Sequence, residues 1–273
     1  MRLSWIDTDT PLPDPRTSLP GGLVAAGLDL SPARLDEAYG KGIFPWFSAG
    51  DPVLWWSPDP RMVLPCDGLR ISHSLAKRLR QFNHDPQSPD APLRVMVDTA
   101  FGEVIRACAQ RQEARLGIGA ARAGAAWPTA IAGTGRDATW ITADIIAVYE
   151  AWHRMGRVHS VETWIDGRLA GGLYGVSIGR CFFGESMFSR AADASKVALA
   201  YLVAYLRRHQ VPWIDCQQET PHLARLGAAP VPRAQFLASL ARLQGEAPPP
   251  WQRGRLTMDG MILGSLPPLQ VTQ

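Results

Sequence analysis

The stretch Val158-His159-Ser160-Val161-Glu162-Thr163-Trp164-Ile165, followed by Asp166-Gly167 and then Leu169-Ala170-Gly171-Gly172-Leu173-Tyr174-Gly175-Val176, carries the clearest β signal in the chain. Branched and aromatic residues flank an Asp-Gly pair, the residues that a two-residue hairpin turn demands. Ile178-Gly179-Arg180 turns the chain once more, into Cys181 to Phe188. The prediction is a three-stranded meander. Asp193 or Ser195 then caps a helix over Lys196 to His209, and Val211 to Cys216 reads as a further strand. Gly171, Gly172, Gly175 and Gly184 lie inside these strands, where glycine marks a bulge or the close approach of backbone or ligand.

Two carboxylates interrupt this apolar background. Glu185 sits in Phe182-Phe183-Gly184-Glu185-Ser186-Met187-Phe188-Ser189-Arg190, and Asp215 in Trp213-Ile214-Asp215-Cys216-Gln217. A buried carboxylate is costly unless it is paired, hydrogen-bonded or put to use. Two of them on strands joined by one helix mark the candidate site. Asp215 and Gln217 are two apart, so a continuous strand puts both on one face. An acid beside an amide suits acyl transfer to an amine. An α-amine titrates near pH 8, so only a modest base is required. The plainer reading is a pair of satisfied polar residues at a strand end.

Outward from the site, 273 residues suffice for one large domain or a domain with a small appendage. The net charge of +3 is compatible with a nucleic-acid partner without being diagnostic of one. Cys66, Cys108, Cys181 and Cys216 lack the short spacings of zinc or redox motifs. The start of the chain has no apolar signal core, and the longest apolar run, Val197 to Leu206, is too short to span a bilayer. The expectation is a reduced, cytoplasmic setting with no membrane association.

Upstream, residues 1–22 read as an extended arm and Leu23 to Gly27 as a short apolar segment. Ser31 caps a helix from Pro32 to Tyr39 that stops at Gly40 and Gly42. The aromatic and proline-rich residues from Gly42 to Arg61 read as an irregular folded-over loop, either a stiff minicore or a wall for a flat ligand. Met62 to Leu64 and Leu93 to Val97 read as strands, and Ser72 to Arg80 as a basic helix. Asp98 caps a helix from Thr99 to Ala109. Residues 110–138 are rich in Ala, Gly and Arg, have little periodicity, and read as a mobile loop. Its arginines, Arg111, Arg115, Arg122 and Arg136, allow an RNA-contacting arm as well as a plain insertion. Thr142 caps a helix from Ala143 to Met155. Short helices follow at His222 to Leu226 and Ala234 to Leu243, and the Pro-rich tail from Pro248 carries no strong signal.

Several chemistries lack their residues. No His-Glu-x-x-His, Walker loop or Gly-x-Ser-x-Gly is present, which argues against a zinc protease, a P-loop ATPase and a serine-hydrolase elbow. Cys216 with His222 could serve as nucleophile and base, although most free cysteines are small buried residues.

The remaining motifs come in a characteristic order. They are Gly-Ile-Phe-Pro-Trp-Phe-Ser (42–48), Trp-Trp-Ser-Pro-Asp-Pro-Arg (55–61), Thr-Trp-Ile-Thr (139–142), Gly-Gly-Leu-Tyr-Gly-Val (171–176), Phe-Gly-Glu-Ser-Met-Phe-Ser (183–189), Ala-Ser-Lys (194–196), Ile-Asp-Cys-Gln (214–217) and Leu-Gly-Ala (226–228). In this order the chain resembles the leucyl/phenylalanyl-tRNA–protein transferases over about residues 19–243. The resemblance implies transfer of Leu, Phe or Met from aminoacyl-tRNA to proteins with N-terminal Arg or Lys, feeding N-end rule degradation, with no cofactor and no metal. It implies an α+β fold: a small N-terminal domain (1–62), then an acetyltransferase-like (GNAT) domain (63–245) with a mixed, largely antiparallel sheet and flanking helices, then a tail (246–273). It assigns Asp215 and Gln217 to a catalytic proton relay, and gives Glu185 the task of orienting Gln217 or holding the cationic amine. Tyr39, Trp46, Trp140 and Tyr149 match residues around the donor's 3′ adenosine and the approach of the acceptor. Leu173, Phe182, Leu202 and Ile214 match the donor side-chain pocket. The long 110–138 stretch, Ala138, Leu28 and Asp193 depart from the family pattern.

Overall fold

The computed structural model describes residues 3–85, 88, 91–119 and 140–264, and for 111–119 the backbone course alone. The first unit is β1 (Ser4–Ile6), β2 (Leu23–Gly27), α1 (Pro32–Gly40), β3 (Phe44–Pro45) and β4 (Val53–Trp56). Its sheet runs β1-β2-β4-β3, so the N-terminal arm pairs in parallel with β2. Helix α1 begins as its sequence dictates: the Ser31 hydroxyl accepts from the Arg34 amide, with Pro32 at the first position. The stretch from Gly42 to Arg61 is more regular than expected. Phe44 and Pro45 pair with Trp56 and Trp55, and Phe44, Phe47, Trp55 and Trp56 are buried in the core. These four are packing residues, and the ligand-wall reading fails for them.

The second unit follows as β5 (Arg61–Pro65), α2 (His73–Phe82), β6 (Leu93–Val97), α3 (Phe101–Gly119), α4 (Ala143–Arg154), β7 (Val158–Ile165), β8 (Arg168–Ile178), β9 (Cys181–Ser189), α5 (Ala194–Arg208), β10 (Trp213–Asp215), α6 (Pro221–Leu226), β11 (Ala229–Val231), α7 (Arg233–Leu243), β12 (Gly254–Leu256) and β13 (Ile262–Leu263). Among the described residues these strands form one sheet, in the order β11-β5-β10-β9-β8-β7-β6-β12-β13. The meander β7-β8-β9 is its centre, and β10 joins β9 in parallel through the α5 crossover. The protein is α+β with mixed sheets.

Both faces of the central strands are covered, which is why β8 is buried almost throughout. Alternate residues serve two cores. Tyr174, Val176 and Phe183 face α3, α4 and the first unit; Leu173, Phe182 and Ile214 face α5. Gly171 permits the α5 approach, since a Cβ there would lie 2.6 Å from that of Ala194.

Four local expectations are corrected. Helix α3 continues to Gly119, so residues 110–119 are helical; the rest of the expected loop, 120–138, lies outside the described residues. Asp98 does not cap α3: its carboxylate accepts from the Ser160 amide and meets His159, while the Thr99 and Ala100 amides donate to Glu162 instead. Neither Asp193 nor Ser195 caps α5 through its side chain: Asp193, at φ 59°, forms no cap hydrogen bond and pairs with Lys196. The tail, without a strong signal in sequence, supplies β12, which pairs with β6.

Candidate active site

The β8–β9 ladder contains one irregularity, and Glu185 is its cause. Tyr174 pairs with Ser186 and Gly175 with Gly184, which leaves Glu185 as the extra residue of a β-bulge. A bulge re-aims a side chain, and this one carries the Glu185 carboxylate to the first unit. Glycine is required opposite it, because a Cβ at Gly175 would fall 2.3 Å from the Phe183 carbonyl. The Tyr39 hydroxyl, from α1, donates to Glu185 Oε1 at 2.7 Å; the Tyr149 hydroxyl, from α4, lies 2.7 Å from that of Tyr39 and 3.4 Å from Glu185 Oε2. Burial outweighs these hydrogen bonds and pushes the Glu185 carboxyl up to about 8, with the Asp215 charge adding to the rise. Burial likewise holds the Tyr39 and Tyr149 hydroxyls far above their usual range. Both tyrosines enter the site as neutral donors.

Asp215 has the opposite surroundings. It is fully buried at the end of β10, and Arg61 from β5 grips it with two hydrogen bonds, Nε to Oδ1 at 2.9 Å and Nη2 to Oδ2 at 2.7 Å. The third guanidinium nitrogen, Nη1, donates to the Gly42 carbonyl at 3.1 Å, and the guanidinium lies over the rings of Phe44 and Phe236. Sequence reasoning gave Arg61 no role. Its one signal was the requirement that a buried aspartate find a partner.

The strand expected to hold Asp215 and Gln217 on one face ends at Asp215. Gln217 instead turns into the left-handed region, at φ 56°, and its backbone N–H donates to Asp215 Oδ1 at 3.0 Å. The two residues are still coupled, through the Gln217 backbone. The Gln217 side-chain Nε2 has no hydrogen-bond partner, although the residue is only 9% exposed.

Strands β9 and β10 pair only at Phe182–Ile214 and Phe183–Asp215, then part. An open-mouthed cavity of about 140 Å³ lies where they separate. Leu173, Phe182, Leu202 and Ile214, the four expected pocket residues, all line it, joined by Leu64, Leu199, Met187 and Leu223. Glu185 and Gln217 line it as well; Asp215 does not. Tyr174 also lines it, while its ring packs on the other face of the sheet against Phe101 and Tyr149. Trp46 and Trp140 are half-buried against the core and lie outside the cavity lining. Cys216 reaches the cavity, but burial drives its thiol far up and Sγ donates to the Ile214 carbonyl, so the thiolate that a cysteine nucleophile needs is disfavoured. Among the described residues no cluster of His, Cys, Asp and Glu could hold a metal ion, and no helix is long and apolar enough to cross a membrane.

Comparison with known proteins finds relatives along nearly the whole chain. The family model for leucyl/phenylalanyl-tRNA protein transferase matches residues 128–241, and the model for its N-terminal domain matches 28–59. The leucyl/phenylalanyl-tRNA–protein transferase of Bordetella bronchiseptica is 54% identical over 270 residues, 98% of either chain. That of Bordetella avium is 52% identical, covering 97% of this chain and 98% of its own. Among solved structures, a protein of unknown function from Bacteroides thetaiotaomicron aligns with TM-score 0.36 at 14% identity, over 63% of this chain and 56% of that one. The chain belongs to the leucyl/phenylalanyl-tRNA–protein transferase family.

Proposed function

We propose that this chain moves leucine, phenylalanine or methionine from aminoacyl-tRNA onto the α-amine of proteins that begin with Arg or Lys, and that its products feed N-end rule degradation. As a member of its family the chain is an aminoacyltransferase. The observation that carries the finer reading is the apolar cavity with one unpartnered amide and one carboxyl at its wall. An apolar cavity of about 150 Å³ is large enough to take a benzene ring. The cavity between Leu173, Phe182, Leu202 and Ile214 therefore has room for an unbranched or γ-branched side chain. Shape disfavours β-branched donors, although a methylene-sized difference is worth only about 1–3 kcal/mol.

In the reaction the acceptor's amine nitrogen attacks the ester carbonyl of the donor. A C–N bond forms, the ester C–O bond breaks, and the amine proton ends on the departing tRNA hydroxyl. The ester is already activated, so catalysis is positioning and charge stabilisation. Gln217 presents its side-chain amide to the reacting groups and Asp215 acts through it, as the orienting member of the relay. Glu185, once ionised, accepts from the amine, with Tyr39 and Tyr149 steadying its charge. Trp46 and Trp140, outside the cavity, receive the donor's adenosine or the acceptor chain. The acetyltransferase-like (GNAT) reading of the second unit is supported by the β9–α5–β10 parallel crossover. The tRNA donor favours a cytoplasmic setting.

The test is transfer of radiolabelled leucine from leucyl-tRNA to a peptide beginning with Arg, with a peptide beginning with Glu and an Asp215→Ala variant as controls. Transfer to the Arg peptide alone, lost in the variant, is the expected result. Equal transfer to both peptides would refute the acceptor rule.

A further inference from the structure

We infer that Arg61 is a positioning residue for aminoacyl transfer, acting through Asp215 on the amide of Gln217. The inference rests on the assignment of Gln217 to the reacting groups. Asp215 presents no oxygen to the cavity. Oδ2 is held by Arg61 Nη2, and Oδ1 by Arg61 Nε and the Gln217 backbone N–H. What it transmits is geometry: the carboxylate fixes the left-handed turn at Gln217, a conformation uncommon for a residue other than glycine, and that turn sets where the unpartnered Nε2 lies. Arg61 in turn fixes the carboxylate. A planar fork matches a carboxylate edge with two parallel bonds, which a lysine ammonium cannot do. The same guanidinium reaches the Gly42 carbonyl, and the Gly42 amide donates to the Tyr39 carbonyl. Tyr39 is the residue that touches Glu185. Arg61 thus spans from the Gln217 wall of the cleft to the segment that supports the Glu185 wall. A merely structural ion pair would hold β5 to β10 and leave the aim of Gln217 to other contacts.

The experiment is a double-mutant cycle in the full chain, with Arg61→Lys, Gln217→Ala and the double variant. Each is assayed for kcat and for KM of leucyl-tRNA at a saturating Arg peptide. Arg61→Lys is expected to keep cooperative melting and donor KM while kcat falls about 30-fold or more; in the Gln217→Ala background the same change costs under about threefold, because coupled residues do not add. Where Arg61→Lys does not fold, Asp215→Asn takes its place in the cycle, since it keeps the shape and the Oδ1 acceptor but weakens the grip of Arg61. In that variant the pH–rate profile is expected to drop in height without changing shape. An Arg61 effect as large in the Gln217→Ala background as in the parent, or one confined to KM or melting temperature, overturns the inference. Gln217→Ala with parental activity overturns the assignment of Gln217 instead, and is read from that single variant alone.

Discussion

Two carboxylates stand on either side of one cleft, and their surroundings are opposites. Glu185 leaves its ladder through a bulge and rests on two tyrosine hydroxyls, with no cation among its hydrogen-bond partners. Its carboxyl is pushed up to about 8, mainly by burial. Asp215 stays in its strand, sits in a bidentate arginine fork and is sealed from the cavity. The same functional group thus holds its proton more tightly on one wall and is a fixed ion-paired strut on the other. Partner and solvation, not residue type, divide the two roles.

The largest effect should come from breaking the strut. Asp215→Ala leaves the Arg61 guanidinium buried without its partner, which costs about 3–5 kcal/mol of stability. Urea unfolding is expected to show that loss, and transfer assays to show no activity even where the variant is folded. A stability change under 1 kcal/mol, far below that range, would mean that water reaches the pair.

The opposite wall should respond to pH. The donor-side kcat/KM is expected to rise as Glu185 loses its proton through about pH 8. Glu185→Gln removes that component of the rise and lowers the upper plateau about 100-fold, the lower end of what one positioned proton acceptor contributes. A variant profile that overlays the parent's would remove Glu185 from the chemistry.

Between the walls, Leu202→Ala enlarges the pocket that both carboxylates flank. A buried Leu→Ala change costs about 2–5 kcal/mol of stability. The discrimination of leucyl over valyl donors is expected to fall by about tenfold, the value of roughly one methylene of fit. Competition between the two charged tRNAs measures it.

The smallest effect sharpens the comparison from outside the site. Glu162 is a fully buried carboxyl, held by the Thr99 and Ser160 hydroxyls and pushed up to about 7 by burial. Because its folded value exceeds its unfolded one, the native state binds the extra proton between about pH 4.5 and 7, and stability drops as pH rises through that window. Glu162→Gln should flatten the fall in melting temperature between about pH 4.5 and 7 and leave transfer unchanged.

Much of this was legible in the chain because it is local. The Asp166-Gly167 turn and the Ser31 and Thr142 caps act within a few residues, and all three features lie where the sequence puts them. The pocket leucines were legible through motif order. What escaped was non-local. The Glu185 bulge depends on register with β8. Arg61 and Asp215 meet across 154 positions. Helix α3 runs past Ala109 through residues whose Ala and Arg content hides any periodicity, and β12 is a three-residue strand that exists only because β6 offers an edge. Gln217 escaped for a different reason: a carboxylate two residues earlier, Asp215, captures its amide and ends the strand that alternation would have continued.

The most direct test is a crystal structure with a non-hydrolysable leucyl-adenosine, its ester replaced by an amide. The leucyl side chain is expected within ~4.5 Å of Leu173, Leu202 and Ile214, the contact range of apolar groups, with its carbonyl facing the Gln217 amide. A leucyl group bound away from the parting of β9 and β10, with that cavity left empty, would contradict the account.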